Sequence, residues 1–418
     1  MKGLLRLTAG ATLLGASTLA QAGLFSQSEP EMYIVQLEPS ALVGQTISEA
    51  TAAVLGLVGA EGAVFEYDTV LTGFAAPLTE RQVRLLKRLP LVSAIEKDSI
   101  VQATGTQNNP IYGLDRIDEY NRPTDGVYQY PASAGAGVHV YIVDTGINAD
   151  HVEFTGRIGQ GQNFVSDGPG GLARLLPLPV PLPLDIFGLL GGGVDPEAWD
   201  DCNGHGTHVA STAGGTQWGV AKQATLHAVR VLGCSGSGST SGVIAGMEWV
   251  AENAEKPAVA NMSLGGGSSA ASDAAVRALY NAGVVPVVAA GNDNADACNS
   301  SPGREPLAFN VVSSDSQDRE SSFSNHGTCT DIIAPGSSIV AASHTSNTGS
   351  ATLSGTSMAA PHVAGAAALI LGETPSLSVA DVYSTLLSNA TPGKIALSPA
   401  NVGTPNLLLN VFPEGAKD

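Results

Sequence analysis

Residues 138–143 read VHVYIV, a nearly continuous apolar run that ends at Asp144. Two further apolar runs follow at 258–262 and 284–290, and stretches with helical periodicity lie between and after them. Apolar strands that alternate with helices are typical of a parallel sheet whose two faces are both covered by helices. We therefore predict an α/β domain in which functional groups gather at the carboxyl ends of the strands.

One segment of this domain departs from the alternation. Residues 168–196 contain a PLPVPLPL run followed by three consecutive glycines. Alternating prolines exclude a helix and a central strand, so we predict a long, apolar and partly extended loop. Because this loop directly precedes His205, one hypothesis is that it docks apolar substrates or a partner. The alternative is a tolerated surface insertion.

A smaller unit precedes the α/β domain. Its predicted strands and helices occur in the order β-α-β-β-α-β, which is that of a ferredoxin-like fold. Thr79 and Gln82 have the spacing of a capping box at the start of the second helix, and Pro90 ends that helix. The predicted strands lie at 33–37, within 63–78 and at 92–101, and the first helix lies at 48–58.

Length and charge limit the classes of function. The chain has 418 residues, of which 43% are hydrophobic and 14% charged, and this length suits two domains. Its 38 acidic residues outnumber its 19 basic ones, which gives a formal net charge of -19. Nucleic acids and anionic membranes require a basic face, so we expect neither as a partner.

The N-terminus has the pattern of a secretory signal peptide over residues 1–22. Lys2 and Arg6 precede an apolar stretch at 7–19, and Ala20-Gln21-Ala22 supplies the small-x-small pattern of a cleavage site. A buried N-terminal helix is the alternative. The stretch is too short for a stable membrane span, and no later stretch qualifies as one. We predict export, cleavage near Ala22 and a secreted protein.

The chain contains four cysteines, Cys202, Cys234, Cys298 and Cys329. In an exported protein an even number of cysteines predicts disulfides. Three pairings are possible, and the sequential one, 202 with 234 and 298 with 329, closes two loops of similar length. Free buried thiols are one alternative. A four-cysteine metal site is another, but no CxxC pair supports it.

Four local motifs carry groups suited to catalysis, although each alone has another explanation. Asp144 begins a DTG turn like that of aspartic proteases, which need a second such motif that this sequence lacks. His205 begins an HGTH motif, whereas the helical zinc motif needs a four-residue spacing with an intervening glutamate. Asn292 suits a simple turn. Ser357 suits a helix cap, with Pro361 expected in or near the first turn.

Together the four motifs are far more specific than any one of them. A serine nucleophile needs a histidine base, and the histidine needs a carboxylate that fixes its tautomer and stabilises its imidazolium form. A serine at a helix N-terminus also gains backbone N–H groups that face a developing oxyanion. The amide of Asn292 can donate a second hydrogen bond to that oxyanion. The combination predicts acyl transfer through a serine.

At these motifs the chain resembles the subtilisin-like serine proteases (peptidase family S8), in the branch of proteinase K and aqualysin. The matching segments are Asp144–Ile147, His205–Ala210, Ser263–Gly267 and Gly355–Gly365, and the order Asp, His, Ser is also that of subtilisin. The resemblance implies an α/β, subtilisin-like three-layer fold with a central parallel sheet in residues 104–418. Residues 31–103 resemble the I9-type inhibitor propeptides of such precursors, a small ferredoxin-like α+β domain.

The resemblance also implies site residues. Asp144, His205 and Ser357 form the triad, and Asn292 completes the oxyanion hole. The substrate-binding residues form two backbone edges and a pocket of small side chains, namely Gly236, Ser237, Gly238, Ser239 and Thr240; Ser263, Leu264 and Gly265; and Ala289, Ala290 and Gly291. The implied activity is endopeptidase cleavage of polypeptides through an acyl-enzyme, with broad specificity and a hydrophobic bias. The sequential cysteine pairing also matches the aqualysin-type branch.

Calcium is implied as a structural cofactor without a catalytic role. Two sets of residues match calcium sites of the branch: Asp115, Asp118, Glu119 and Asp125 in one, and Asp331 with the carbonyl groups of Pro306 and Ala308 in the other. Clustered carboxylates suit a hard cation, but a solvated acidic patch is an equal alternative for the first set. The segment 168–196 replaces a region where relatives hold another calcium ion, so we do not expect that site.

The implied precursor inhibits itself. Its propeptide templates folding and blocks the cleft with the tail at 98–103, until cleavage near Ala103-Thr104 releases an enzyme that we expect to be a monomer. One rival is a binding protein that keeps the fold without activity, which predicts a missing triad residue. A second rival is an acyl hydrolase acting on esters, which needs no backbone-binding edges. The complete triad and the segment 263–267 favour the peptidase.

Overall fold

The computed structural model describes residues 30–38, 44–98, 104–165 and 198–413. These residues divide into two compact units on either side of Val101. Three predicted features lie outside the described residues: the leader at 1–22, Ala103 at the processing bond, and the loop at 168–196.

The first unit forms a four-stranded antiparallel sheet with two helices in its described part. Its elements are β1 (Glu31–Leu37), α1 (Ile47–Val58), β2 (Phe65–Tyr67), β3 (Gly73–Leu78), α2 (Glu80–Leu86) and β4 (Val92–Lys97). The strands lie in the order β2-β3-β1-β4, so the first and last strands are neighbours. This topology confirms the predicted ferredoxin-like fold.

Local sequence signals set the ends of the helices in this unit. Both helices begin with a reciprocal capping box, which joins Thr46 to Glu49 at α1 and Thr79 to Gln82 at α2. Each box satisfies two backbone N–H groups that the helix itself leaves unpaired. Helix α1 ends at Gly59, whose φ of 68° lies in the left-handed region that glycine adopts without strain.

The second unit contains the predicted α/β domain. Its strands are β5 (Thr104–Asn108), β6 (Val127–Pro131), β7 (His139–Asp144), β8 (Gln162–Asn163), β9 (Thr225–Arg230), β10 (Ala258–Met262), β11 (Gly266–Gly267), β12 (Val284–Ala289), β13 (Ser300–Ser301), β14 (Phe309–Ser314), β15 (Ile332–Pro335), β16 (Ile339–Ala342), β17 (Ser350–Leu353), β18 (Thr391–Pro392) and β19 (Leu407–Leu408). Its α-helices are α3 (Tyr112–Ile117), α4 (His205–Gly214), α5 (Thr240–Asn253), α6 (Ala270–Asn281), α7 (Thr356–Glu373) and α8 (Val379–Asn389). Short 3-10 helices occur at Val152–Phe154 and Ala297–Asn299.

Within the described residues a nine-stranded sheet runs through this unit in the order β18-β19-β15-β14-β12-β10-β7-β9-β8. All neighbouring pairs are parallel except β18 with β19. The apolar runs at 138–143, 258–262 and 284–290 form β7, β10 and β12 in the middle of the sheet. The predicted parallel sheet is confirmed.

Helices cover both faces of this sheet and make three layers. In β7, Val140 and Ile142 join the core on the α4 and α7 side, whereas Tyr141 and Val143 join the core on the α5 and α6 side. All four side chains are buried. A strand that is buried on both faces carries apolar residues at successive positions, which accounts for the continuous run in the sequence.

Helix α7 contains a proline at the start of its second turn, next to the first turn as predicted. Pro361 is the sixth residue of the helix and cannot donate to the carbonyl oxygen of Ser357. That oxygen instead accepts a hydrogen bond from the hydroxyl of Ser263 at 2.8 Å. The proline therefore frees a carbonyl group that ties the start of α7 to the segment after β10.

Candidate active site

The predicted Asp, His and Ser residues lie at the ends of secondary-structure elements. Asp144 is the last residue of β7, His205 is the first residue of α4, and Ser357 is the second residue of α7. Because β7 and β10 are parallel neighbours, Asp144 and the segment after β10 lie at the same edge of the sheet. Ser357 contacts that segment through Ser263, so all three residues share this edge.

A short contact joins the carboxylate to the imidazole. Oδ1 of Asp144 lies 2.7 Å from Nδ1 of His205 and also accepts the N–H of Thr145 at 2.7 Å. The carboxylate is fully buried, whereas 27% of the His205 side chain is exposed. A carboxylate at Nδ1 holds the tautomer whose lone pair is on Nε2. The arrangement prepares Nε2 to accept a proton.

Two opposing effects set the pKa of His205. Burial lowers this pKa, but the charge of Asp144 and its hydrogen bond to the ring outweigh burial and raise the pKa above its usual value. A general base must be neutral before it accepts a proton. Activity that depends on His205 is therefore lost as the pH falls through this raised pKa.

The hydroxyl of Ser357 is held by the backbone. Among the described residues it donates to the carbonyl oxygen of Ser263 at 3.2 Å and not to His205. The hydroxyl of Ser263 donates in return to the carbonyl oxygen of Ser357, and this reciprocal pair fixes the start of α7. Nucleophilic attack requires the Ser357 hydroxyl to turn toward Nε2 of His205, an adjustment common in sites without substrate.

Asn292 is oriented by the residue that precedes Ser357. Its Oδ1 accepts hydrogen bonds from the N–H and the hydroxyl of Thr356, at 2.8 and 3.1 Å. These two donors identify the oxygen of the amide, so Nδ2 faces the other way as a donor. Asn292 and Ser357 line the same pocket. The amide is thus fixed before any substrate arrives.

Two pockets meet along residues 264–267. The first is lined by His205 and by members of both predicted substrate edges: Gly236, Ser237, Gly238, Thr240, Ser263, Leu264 and Gly265. The second is lined by the predicted small residues and the oxyanion candidates: Ala289, Ala290, Gly291, Asn292 and Ser357. Ser239 plays a different part, because its Oγ accepts the N–H of Gly242 at 3.1 Å and caps α5.

Sequence reasoning missed Asp201, a buried carboxylate in the loop before His205. Oδ1 of Asp201 accepts the hydroxyl of Thr145 and the N–H groups of the two residues that precede His205, each at 2.9 Å. Oδ2 accepts the N–H and the hydroxyl of Thr207 at 2.9 and 2.6 Å. Burial raises the pKa of Asp201, but these hydrogen bonds outweigh burial and lower it. The charged carboxylate joins the loops that carry Asp144 and His205.

Asn325 is a second residue that sequence reasoning missed. Its Oδ1 accepts the N–H groups of Asp293 and Ala295, both at 3.0 Å, and its Nδ2 donates to the carbonyl oxygen of Ala290 at 3.0 Å. The side chain is buried and braces the loop that carries Asn292. A single Asn in an SNHG turn offers no signal of this role in the sequence.

The first predicted calcium set consists of Asp115, Asp118, Glu119 and Asp125. Three of its carboxylates accept backbone N–H groups from residues 126–129: Asp115 at 3.0 Å, Asp118 at 2.7 Å and Asp125 at 2.8 Å. Within the described ranges, no three side chains of this set bring ligand oxygens within 4.8 Å of one another. A calcium ion here therefore needs backbone carbonyl groups among its ligands.

Asp331, in the second predicted calcium set, is a half-buried carboxylate directly before β15. Its Oδ2 accepts the N–H of Asn310 at 2.7 Å, which places the carboxylate beside the segment that carries Pro306 and Ala308. Burial raises the pKa of Asp331 to about 6. No ion pair to this carboxylate occurs in the part of the chain that the structure describes, and a bound cation would stabilise its charged form.

The cysteines form the bonds Cys202–Cys234 and Cys298–Cys329, the pairs that the resemblance implies. Cys202 lies in the loop before His205, and Cys234 lies just before the edge that begins at Gly236. The first disulfide therefore joins the loop before His205 to the predicted substrate edge that begins at Gly236.

The chain matches two protein families. Residues 135–407 match the subtilase family of S8 peptidases, and residues 32–104 match the peptidase inhibitor I9 family. The first match covers the predicted Asp, His and Ser motifs, and the second covers the ferredoxin-like unit.

Individual proteins are also similar to this chain. The extracellular serine proteinase of Thermus sp. strain Rt41A is 48% identical over 375 residues, which are 89% of this chain and 83% of that protein. Alkaline serine exoprotease A of Vibrio alginolyticus is 48% identical over 335 residues, which are 79% of this chain and 57% of that protein. The chain is also similar to the crystal structure of a cold adapted subtilisin-like serine proteinase, with a TM-score of 0.64 and 46% sequence identity. The match covers 73% of this chain and 100% of that chain.

Proposed function

The chain belongs to the subtilase family, and from this premise we propose that Asp144, His205 and Ser357 hydrolyse peptide bonds as a triad. The family, the I9-type propeptide and the extracellular relatives make the chain a secreted serine endopeptidase with a propeptide that it processes itself. One observation carries the triad proposal. Buried Asp144 lies 2.7 Å from Nδ1 of His205, beside a groove that residues of both predicted edges line.

In the proposed reaction, Nε2 of His205 takes the hydroxyl proton of Ser357 as Oγ bonds to the carbonyl carbon of the substrate. The carbonyl oxygen becomes an oxyanion, and Asp144 stabilises the imidazolium. His205 then gives its proton to the leaving amine, the C–N bond breaks, and an acyl-enzyme remains. A water molecule, deprotonated by His205, attacks the ester carbon. The carboxylate product leaves, and Ser357 regains its proton.

The oxyanion donors that we assign are the backbone N–H of Ser357 and Nδ2 of Asn292. Ser357 lies in the first turn of α7, where N–H groups lack helical partners and the helix dipole is positive. Thr356 holds the side-chain oxygen of Asn292, so Nδ2 of Asn292 needs no reorientation during the reaction. Donors that are fixed in this way stabilise the transition state more than they stabilise the substrate.

The proposed substrate lies extended between two backbone segments, Gly236–Thr240 and Ser263–Gly265. A peptide that adds as a strand is held mainly by backbone hydrogen bonds, so many sequences are accepted. The pocket beside Ser357 is lined by the small residues Ala289, Ala290 and Gly291. Small walls leave space for an apolar or aromatic side chain of the substrate, which gives the proposed hydrophobic bias.

Peptide p-nitroanilides that differ only in the residue before the scissile bond test this specificity. We expect kcat/KM to be about 10–100-fold higher with Phe or Leu at that position than with Glu, because a carboxylate loses its hydration in the pocket. Asp293 also lines the pocket and repels a negative charge. As a control, the same series of residues is placed before the scissile bond of a longer peptide. A strict requirement for Arg or Lys would contradict the proposal.

We propose boundaries for the precursor: a leader at 1–22, an inhibitory propeptide at 31–103 and a peptidase domain at 104–418. The I9 match over residues 32–104 supports the role of the propeptide as an intramolecular inhibitor. Among the described helices, none combines the length and the apolar character that crossing a membrane requires. Extracellular relatives support export by the leader. A monomer is proposed for the released enzyme.

Structural calcium ions are common in this family. We place one proposed calcium ion at Asp331 with the carbonyl groups of Pro306 and Ala308, because this half-buried carboxylate has a raised pKa and lies beside that segment. A second calcium ion is proposed at the set of Asp115, Asp118, Glu119 and Asp125, with carbonyl groups as further ligands. In both places the ion would hold surface segments together, and no step of the reaction uses it.

Removal of calcium is expected to lower the melting temperature by about 4 °C for each ion, because the loss of a ligand bound at 100 times its Kd destabilises a domain of this size by about 2.7 kcal/mol. Calorimetry of the enzyme, blocked by a serine-directed inhibitor, measures the shift between calcium and chelator. Asp331→Asn should abolish a large part of the shift, and the exposed Asp150→Asn should leave it intact. An unchanged melting temperature in chelator would refute the calcium proposal.

A further inference from the structure

A cluster of ionisable side chains lies at the edge of the sheet opposite the catalytic groups. His139 is the first residue of β7, the strand that Asp144 ends, and His227 lies on the neighbouring strand β9. Glu255 lies in the connection from α5 to β10. The proposed reaction uses none of these three residues.

We propose that His139, His227 and Glu255 bind a divalent transition-metal cation of the zinc type. Each residue offers one ligand atom, and these three atoms lie within 4.8 Å of one another. The His139 ring faces the other two residues with different nitrogens: Nδ1 lies 2.8 Å from Nε2 of His227, and Nε2 lies 4.0 Å from a carboxylate oxygen of Glu255. One of these two nitrogens would bind the ion. Across residues 30–38, 44–98, 104–165 and 198–413, this is the single group of three such residues that meets this distance.

The ring of His227 is fixed in the orientation that a metal ligand needs. Its Nδ1 lies 3.0 Å from the carbonyl oxygen of Gln160, an acceptor that requires the proton on Nδ1 and leaves the lone pair on Nε2. Metal-binding histidines usually have such a partner on the second nitrogen, because it sets the tautomer and the ring orientation. Nε2 of His227 therefore presents its lone pair to His139 and to any cation between the two rings.

The His227 ring is packed on two sides. Tyr141 stacks on one face, with ring centroids 4.3 Å apart. The backbone of Gly159 closes another side, since a Cβ atom at this position would lie 2.3 Å from Cε1 of His227. Burial lowers the pKa of His227, and this favours the neutral imidazole that binds metals. The ring is thus rigid and buried.

The other two ligands are anchored by their backbone and free to adjust at their side chains. The N–H of Glu255 donates to the hydroxyl oxygen of Tyr141 at 2.9 Å, and the N–H of His139 donates to the carbonyl oxygen of Pro257 at 3.0 Å. The Glu255 side chain is 67% exposed and that of His139 is 18% exposed. An ion can therefore enter from solvent and draw the carboxylate inward.

The donor set selects the type of metal. Two imidazoles and one carboxylate, with a fourth position left for water, are a ligand set that zinc favours, whereas calcium prefers oxygen ligands throughout. Tetrahedral zinc with Zn–N bonds of about 2.0–2.1 Å separates two ligand nitrogens by about 3.3 Å. The present separation of 2.8 Å requires the rings of His139 and His227 to open by a fraction of an ångström. A bound ion would join β7, β9 and the α5–β10 connection.

Zinc titration of the full chain in the Ser357→Ala background tests the site without self-digestion. The protein should carry no polyhistidine tag, and saturating calcium should fill the oxygen sites. We expect one zinc ion to bind in isothermal titration calorimetry. We also expect zinc to raise the melting temperature by at least about 2 °C. His139→Gln and Glu255→Gln should each weaken binding by at least about tenfold, and the exposed Glu252→Gln should not.

Melting curves without zinc show whether each variant is folded. If His139→Gln is unfolded, the zinc affinity of Glu255→Gln, a change at an exposed side chain, tests the proposal instead. The absence of zinc binding to the parent chain would overturn the proposal and leave the two histidines as a hydrogen-bonded pair. Zinc affinity that neither His139→Gln nor Glu255→Gln changes would also overturn it, because the ion would then be held elsewhere, for example at His205.

Discussion

Replacement of Ser357 by alanine is expected to leave the precursor unprocessed and to lower kcat by about 10⁶-fold, the loss known for the same change in a subtilisin. The reason is the loss of the only atom that bonds to the substrate in the proposed reaction. Folding should be preserved, since the change removes one hydrogen bond from Oγ to the carbonyl oxygen of Ser263, which is worth about 1 kcal/mol. Electrophoresis and turnover of an apolar p-nitroanilide measure both effects.

The matched control is Ser350→Ala, which removes an exposed hydroxyl on β17 and should process and turn over normally. A trace of active wild-type enzyme added to the Ser357→Ala precursor provides a second control, because a folded precursor should then be cut near Ala103. Self-processing of purified Ser357→Ala at the rate of the wild type would refute the assignment of the nucleophile.

Asp144→Asn should have the second largest effect, a fall in kcat of about 10⁴-fold, as for the equivalent change in other Ser-His-Asp enzymes. An amide at this position can donate to Nδ1 of His205 and so place the proton on Nε2, where it prevents His205 from acting as a base. Stopped assays over several hours with a sensitive peptide substrate measure the residual rate. Asp150→Asn, an exposed acidic residue six positions on, is the control.

The pH profile distinguishes this cause from general damage. In the wild type the charge and hydrogen bond of Asp144 raise the pKa of His205 despite its burial, so kcat/KM falls as the pH drops through that raised value. Loss of the carboxylate should lower this pKa and move the acid limb of Asp144→Asn to lower pH. An acid limb that stays in place, with kcat within tenfold of the wild type, would contradict the role of Asp144.

Much of the architecture is predictable because strands and helices have different periodicities. A continuous apolar run such as 138–143 is stable only with both faces buried, which requires a parallel sheet between helix layers. Capping pairs such as Thr79 with Gln82 mark helix starts for an equally local reason. Pro361 lies in the second turn of α7 because Ser263 satisfies the carbonyl group that the proline leaves unpaired. The sequence around Pro361 does not reveal this hydrogen bond, because Ser263 belongs to another segment of the chain.

The supporting residues of the site were not predictable for the same reason. The hydrogen bond from Thr145 to Asp201 spans 56 residues of sequence, and that between the rings of His139 and His227 spans 88. Such contacts depend on the sheet order, which brings β7 and β9 together. For Ser239 the missed contact is local. Its position in a predicted substrate edge drew attention away from its role as the N-cap of α5, only three residues from its partner.

Covalent labelling tests the central claim, that Ser357 is the nucleophile of this peptidase, most directly. The processed enzyme is treated with a fluorophosphonate, and mass spectrometry locates the adduct. We expect one adduct, on the peptide that contains Ser357, and a labelling rate lowered by orders of magnitude in Asp144→Asn. An adduct on another residue, or none in a preparation that cleaves peptides, would contradict the claim.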